Sequence, residues 1–137
     1  MKTRFVPSIC SYCGSGCGVL FQVAGNRILS TQPNPASPVS QGKLCIKGWN
    51  LHEYVHAPNR LTQPLMRQDT NTDFISTSWA SALARLAQGL KDTVTANGPD
   101  SVAMLASARI SNEENYLAQK FMRAVIGTNN VDHCARL

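Results

Sequence analysis

Residues Cys10 to Gly18 read CSYCGSGCG, a CxxCxxxC array threaded with Gly14, Gly16 and Gly18. A fourth cysteine, Cys45, stands well downstream and is followed at once by Ile46, Lys47 and Gly48. Four thiolates brought together can hold a metal ion or an iron–sulfur cluster. Interleaved glycines let the backbone wrap closely and leave amide N–H groups free to point at sulfur. A zinc site normally shows paired CxxC knuckles. A division of three cysteines plus one favours a cluster, most simply [4Fe–4S], over zinc or a disulfide framework. Lys47 can lie between such a cluster and a second redox group, or be a plain surface lysine; spacing alone leaves both open.

Working outward, Phe5 and Val6 lead into Cys10 as a short strand. VLFQVAGNRILSTQ, from Val19, reads as two extended runs about a Gly25-Asn26 turn. QPNPASPVSQG, with three prolines among small polar residues, is expected to be an exposed loop returning the chain to Cys45. Such a unit has little core, so its stability should lean on the bound metal. The next stretch, GWNLHEYVHAPNRLTQPLMRQ, reads as a connector running over a surface. His52 and His56 stand four apart but have no partner at a diagnostic ligand spacing, which favours a partly exposed helix or turn beside Trp49 and Tyr54.

A different periodicity begins near Thr77. Ser78 is placed to cap a helix opening at Trp79, whose apolar positions Ala82, Leu83, Leu86, Ala87, Leu90 and Val94 recur at helical spacing until Gly98-Pro99 stops it. Ser101 to Ala106, SVAMLA, suits a buried strand of a parallel sheet. A second helix is expected from about Glu113 to Ile126, capped by Ser111 or Asn112 and ended by Gly127. The turn from Ser107 to Asn115 joins the strand's carboxyl end to that helix, the kind of place where phosphate groups bind. Arg109 would add a forked cation there. Neither GxGxxG nor a Walker-type loop occurs. The fold class expected is α+β to α/β: a small strand-and-loop cluster domain over residues 3–60, then the start of a helix–strand–helix layer over 61–137.

Composition narrows the function. The 137 residues are 43% hydrophobic and 15% charged, which excludes a disordered tail. The net charge of +5 is spread out, without basic runs or interleaved aromatics, so nucleic acid is not an expected partner. An anionic cofactor or an acidic electron-transfer partner suits the charge better. No window reaches the roughly 18 apolar residues of a membrane span, and MKTRFVPSIC shows neither a leader-like apolar run nor a twin-arginine pair. The compartment expected is the cytoplasm, where five cysteines point to metal or redox use over disulfides.

The array CSYCGSGCG, the segment Cys45-Ile46-Lys47-Gly48 and the run SARISNEENYLAQKFMRAVIGTNNVDHCARL together resemble the N-terminal part of molybdenum- or tungsten-containing formate dehydrogenases. These are bis-molybdopterin-guanine-dinucleotide oxidoreductases, and the resemblance covers essentially the whole chain. It implies that Cys10, Cys13, Cys17 and Cys45 ligate a [4Fe–4S] cluster and that Lys47 relays electrons between cluster and pterin. Arg109 would lie close to the pterin cofactor. Cys134 and His133 would have no ligand role. For the complete enzyme it implies reversible two-electron oxidation of formate to carbon dioxide. The electrons would leave through the cluster to a separate iron–sulfur subunit, and onward in one arrangement to a hydrogenase. In the family, selenocysteine or cysteine follows the segment that ends here at Leu137. The expectation is therefore an N-terminal piece, inactive alone, cut at a UGA selenocysteine codon, which the nucleotide sequence after Leu137 tests. Other readings are another molybdopterin oxidoreductase such as a nitrate reductase, a freestanding single-cluster electron carrier, and a zinc-binding module.

Overall fold

The computed structural model describes residues 2–134, Cys134 through its backbone alone. The expectations for the Cys134 side chain and for the chain after it lie outside the described residues. The chain folds as two compact units, one of Met1–Arg60, Ala106–Leu117 and His133–Leu137, the other of Leu61–Leu105 and Ala118–Asp132.

The first unit is built on an antiparallel sheet in the order β1 (Thr3–Ile9), β2 (Gly18–Ala24), β3 (Arg27–Pro33). β1 pairs with β2 from Thr3↔Ala24 to Ile9↔Gly18, and Pro7 sits on this edge strand, where its missing N–H costs no ladder bond. β2 and β3 are joined through Gly25 and Asn26, with Gly25 at φ +57°, the left-handed conformation that a glycine adopts without a Cβ penalty. The hairpin is as the sequence predicts. The central strand is the most buried, and its Val19 meets Cys10 and Leu51 in a small core ringed by Tyr12, Cys17, Phe21 and Leu44. Two of the array's cysteines are thus themselves part of the hydrophobic core.

The loop predicted as exposed is only partly so. Ser37 and Ser40 are buried, because the Gly18 amide at the start of β2 donates to Ser40 Oγ (3.2 Å) and the Ser40 amide to Ser37 Oγ (3.3 Å). After Cys45 come two short helices, α1 (Ile46–Trp49) and α2 (Leu51–Val55), where the sequence suggested a connector. They are pinned to β3 by the two histidines. His56 Nε2 accepts the Ile28 amide at 2.9 Å, and His52 Nδ1 bonds Thr31 Oγ1 at 3.1 Å.

The second unit opens with a hairpin that the periodicity did not announce, β4 (Leu65–Met66) against β5 (Ile75–Ser76). Two-residue strands are too short to show an alternation. α3 (Trp79–Asn97) follows as predicted, with Ser78 Oγ accepting the Ser81 amide at 3.1 Å and Gly98 at φ +82° ending it. A 3-10 turn, Pro99–Ser101, leads to β6 (Met104–Ser107). This strand starts later than SVAMLA suggested and is not buried. Leu105 is 86% exposed, because among the described residues β6 has one neighbour, β7 (Val131–Cys134), and an apolar run needs cover on both faces to be enclosed.

α4 (Asn112–Phe121) is shorter than predicted. Its last turn widens to a π-helical turn over Met122–Ile126, which Gly127, at φ +91°, closes by donating its N–H to Met122 O at 2.8 Å. The fully buried Met122 anchors that turn. Thr128 Oγ1 bonds the Asp100 carboxylate at 2.5 Å, and Asn130 Nδ2 donates to the Asp100 carbonyl at 3.0 Å.

Candidate metal centre

The cysteine array is the connection between two paired strands. Ile9 and Gly18 form the last rung of β1 and β2, and the Cys10 amide donates to the Cys17 carbonyl at 2.8 Å, so these two cysteines close the base of the loop and Cys13 lies within it. Gly16 takes φ +67°, which lets the loop fold back toward Cys17. Cys45 is the residue before α1, and its carbonyl accepts the Trp49 amide at 3.1 Å. All four are free thiols.

Cys10 lies within electrostatic reach of the other three. Burial pushes the Cys10 thiol up; the Tyr12 amide opposes this, and the charges of Cys13, Cys17 and Cys45 each add to the rise. The Ser15 hydroxyl and amide draw Cys13 down, aided by the positive charges of Lys47 and Arg109. Cys45 is lowered by the amides of Gly48 and Lys47 and by the Lys47 ammonium. Amide donors and cations that favour thiolate are what a sulfur-ligated metal group needs.

Among the described residues no three His, Cys, Asp or Glu side chains gather tightly enough to share a single metal ion. One zinc ion at 2.3 Å from each sulfur would hold the sulfurs about 3.8 Å apart. A four-iron cluster asks for something different, one thiolate for each iron, and the chain offers four thiols, three of them in one loop.

Both cations singled out in the sequence arrive here by way of Tyr12. The Lys47 Nζ lies 4.9 Å from the centre of its ring and the Arg109 Cζ 5.9 Å, with Arg109 Nη1 donating to the Tyr12 hydroxyl at 3.4 Å. His52 and His56 are held by β3, as described. His133 lies in β7.

Sequence reasoning missed three residues of the site. Tyr12 was legible only as an aromatic between two candidate ligands, Ser15 only as a hydroxyl in the loop. For Asn112 the sequence offered only a share in the helix cap, a role left open between Ser111 and Asn112, and Ser111 takes it. Its Oγ accepts the Glu114 amide at 3.2 Å, and the Glu114 carboxylate accepts the Ser111 amide at 2.7 Å. Asn112 Nδ2 is left to donate to the Gly14 carbonyl at 2.9 Å.

Comparison with known proteins agrees with this geometry. Residues 3–57 match the molybdopterin oxidoreductase Fe4S4 domain, and residues 60–137 match the molybdopterin oxidoreductase family. Over all 137 residues the chain is 41% identical to the F420-dependent formate dehydrogenase subunit alpha of Methanocaldococcus jannaschii and 45% identical to the F420-dependent formate dehydrogenase 1 subunit alpha of Methanococcus maripaludis; in each case all of this chain covers 19% of the relative. It thus spans about one fifth of the length of these curated relatives. Acetylene hydratase from Pelobacter acetylenicus shares the fold, with a TM-score of 0.69 at 23% identity over 93% of this chain and 18% of that one. With an Fe4S4 domain model over its first part and the oxidoreductase model over the remainder, the chain belongs to the molybdopterin oxidoreductase family.

Proposed function

We propose that this chain is the N-terminal part of a formate dehydrogenase catalytic subunit, with residues 3–60 as its cluster domain and 61–137 as the start of its pterin-binding domain. Cys10, Cys13, Cys17 and Cys45 hold a [4Fe–4S] cluster. Lys47 is the electron relay between cluster and pterin, and Arg109 binds the pterin of a molybdenum or tungsten bis-molybdopterin guanine dinucleotide. The reaction is HCOO⁻ → CO2 + H⁺ + 2e⁻, reversible. When bound, the metal–pterin group supplies the two-electron exchange with formate and the cluster carries electrons away singly.

The chain's own residues prepare for this in definable ways. The amides of Tyr12, Ser15, Lys47 and Gly48 face sulfur, and the Ser15 hydroxyl joins them at Cys13. These donors and the charges of Lys47 and Arg109 stabilise negative charge on the thiolates and on whatever they ligate. Burial of Cys10 within the core with Val19 and Leu51 keeps water from one side. The acceptor we infer is a separate iron–sulfur subunit. The cytoplasm is the proposed compartment, because a thiolate-ligated cluster and a set of five cysteines suit reducing conditions. No helix among the described residues is long and apolar enough to cross a membrane.

The observation that supports the cluster assignment is the loop carrying Cys10, Cys13 and Cys17, closed by the Cys10–Cys17 backbone bond within the stretch that matches the Fe4S4 domain. The choice of formate rests on 41–45% identity along the whole chain to alpha subunits named for it. Anaerobic reconstitution tests the first. Four irons and four acid-labile sulfides per chain with brown thiolate-to-iron absorption are expected, whereas colourless protein binding one zinc overturns it. Assay of the holoenzyme carrying this chain tests the second, since activity with nitrate and none with formate would overturn it.

A further inference from the structure

We propose that Tyr12 is a positioning residue for the cluster's charge environment: its ring and hydroxyl hold Lys47 and Arg109 beside Cys13. This rests on the cluster assignment above. Lys47 and Arg109 are exposed, and long exposed cations spread over many rotamers unless something holds them. Tyr12 is half-buried and packed against the core of Cys10, Val19 and Leu51, so its ring is a fixed platform. The two cations lie 4.9 and 5.9 Å from its centre, and the hydroxyl accepts from Arg109. A cation–π contact at an exposed site is enough to bias a rotamer population severalfold. Two like charges drawn to one ring repel each other. An anionic group next to the ring offsets that repulsion, and Cys13 directly follows Tyr12 in the chain. The effect of the pair is to favour the reduced, more negative cluster. Tyr12 touches neither substrate nor the reacting atoms and acts only through the two cations.

The test is the reduction potential of the reconstituted 137-residue chain, with iron and sulfide content measured on every variant. Tyr12→Leu is expected to lower the cluster's reduction equilibrium constant about three- to tenfold, tenfold being 59 mV for one electron. In a Lys47→Gln/Arg109→Gln background the same substitution is expected to change it less than about twofold, because the groups Tyr12 holds are gone. An equal drop in both backgrounds, or none in either, overturns the proposal. Tyr12→Phe guards against a Leu variant that does not fold, since it removes only the hydroxyl that Arg109 reaches. Arg109→Gln should then shift the equilibrium less in the Phe background than in the wild type, and an equal shift in both overturns the proposal. A wild-type chain that takes up no cluster overturns the cluster assignment and this inference together. A cluster whose potential ignores Tyr12 overturns the inference alone.

Discussion

Asn112, the first residue of α4, donates from Nδ2 to the carbonyl of Gly14 across 2.9 Å, and a Cβ built on Gly14 would stand 2.5 Å from Asn112 Oδ1. The cysteine loop and the helix start are therefore fitted to each other at a position where only glycine leaves room. Residues nearly a hundred apart in sequence meet here, so the loop's shape depends on chain far beyond the cysteines.

Gly14→Ala is expected to destabilise the cluster-loaded chain by about 1–3 kcal/mol, the usual cost of forcing extra atoms into a packed contact. Asn112→Ala, which removes the clash along with the hydrogen bond, should cost about 1 kcal/mol alone. The double variant should be less destabilised than the sum of the two. Thermal or denaturant unfolding of the four proteins gives the cycle, and simple additivity would mean that the two residues do not meet.

The amide of Gly18 provides a second check on the loop geometry. It donates to the buried Ser40 Oγ, and Ser40→Ala would leave that buried N–H without a partner at a cost of about 1–3 kcal/mol. Gly18→Ala should be worse, since its Cβ would lie 2.5 Å from Ser37 Cβ, within a packed contact. Unfolding midpoints in the order wild type, Ser40→Ala, Gly18→Ala are expected. The reverse order of the two variants would show that the glycine is not in close contact.

These contacts mark what the sequence could and could not disclose. The β2–β3 hairpin, α3 with its Ser78 cap and Gly98 stop, and the single loop that carries Cys10, Cys13 and Cys17 were legible because each is encoded by local pattern: alternation, helical period, close cysteine spacing. Ser37 and Ser40 were read as solvent-facing because small polar residues among prolines look the same whether they face water or a buried amide. His52 and His56 stand four apart, which the sequence shows, but their partners Thr31 and Ile28 lie on a strand reached only through the fold. Leu105 was misjudged for the opposite reason: an apolar run says that a strand can be buried, and the cover has to come from other chain. Asn112 and Tyr12 act through long-range partners, which no spacing rule records.

Each of Cys10→Ser, Cys13→Ser, Cys17→Ser and Cys45→Ser should reduce bound iron sharply, and Cys10→Ser should also cost folding stability. Cys10 is 7% exposed and packs on Val19 and Leu51, so a hydroxyl there is a buried polar group as well as a lost ligand. Cys45 is exposed, so Cys45→Ser should lose iron with little change in the unfolding of the metal-free chain. Iron content and unfolding, measured side by side, separate the ligand role from the packing role. Equal destabilisation of the metal-free chain by both would contradict the burial difference.

In the metal-free chain the thiols should alkylate in a defined order. The thiolate is the nucleophile, so reactivity at neutral pH follows both access and the position of the pKa. Cys45 has access, and the amides of Gly48 and Lys47 with the Lys47 charge lower its pKa, which enlarges its thiolate fraction at a given pH. Cys10 is enclosed and burial raises its pKa, which shrinks that fraction. Cys13, lowered mainly by the Ser15 hydroxyl and of intermediate exposure, falls between them. Iodoacetamide labelling read by peptide mass should therefore mark Cys45 first and Cys10 last. Lowering the pH should slow Cys10 at a higher pH than it slows Cys45, because the thiol with the higher pKa protonates first. Ser15→Ala should delay Cys13 while leaving Cys45 unchanged, since the hydroxyl that lowers Cys13 is absent at Cys45. Labelling of Cys10 as fast as Cys45 would mean that the hairpin base is open in solution and that the loop closes only when the metal group binds.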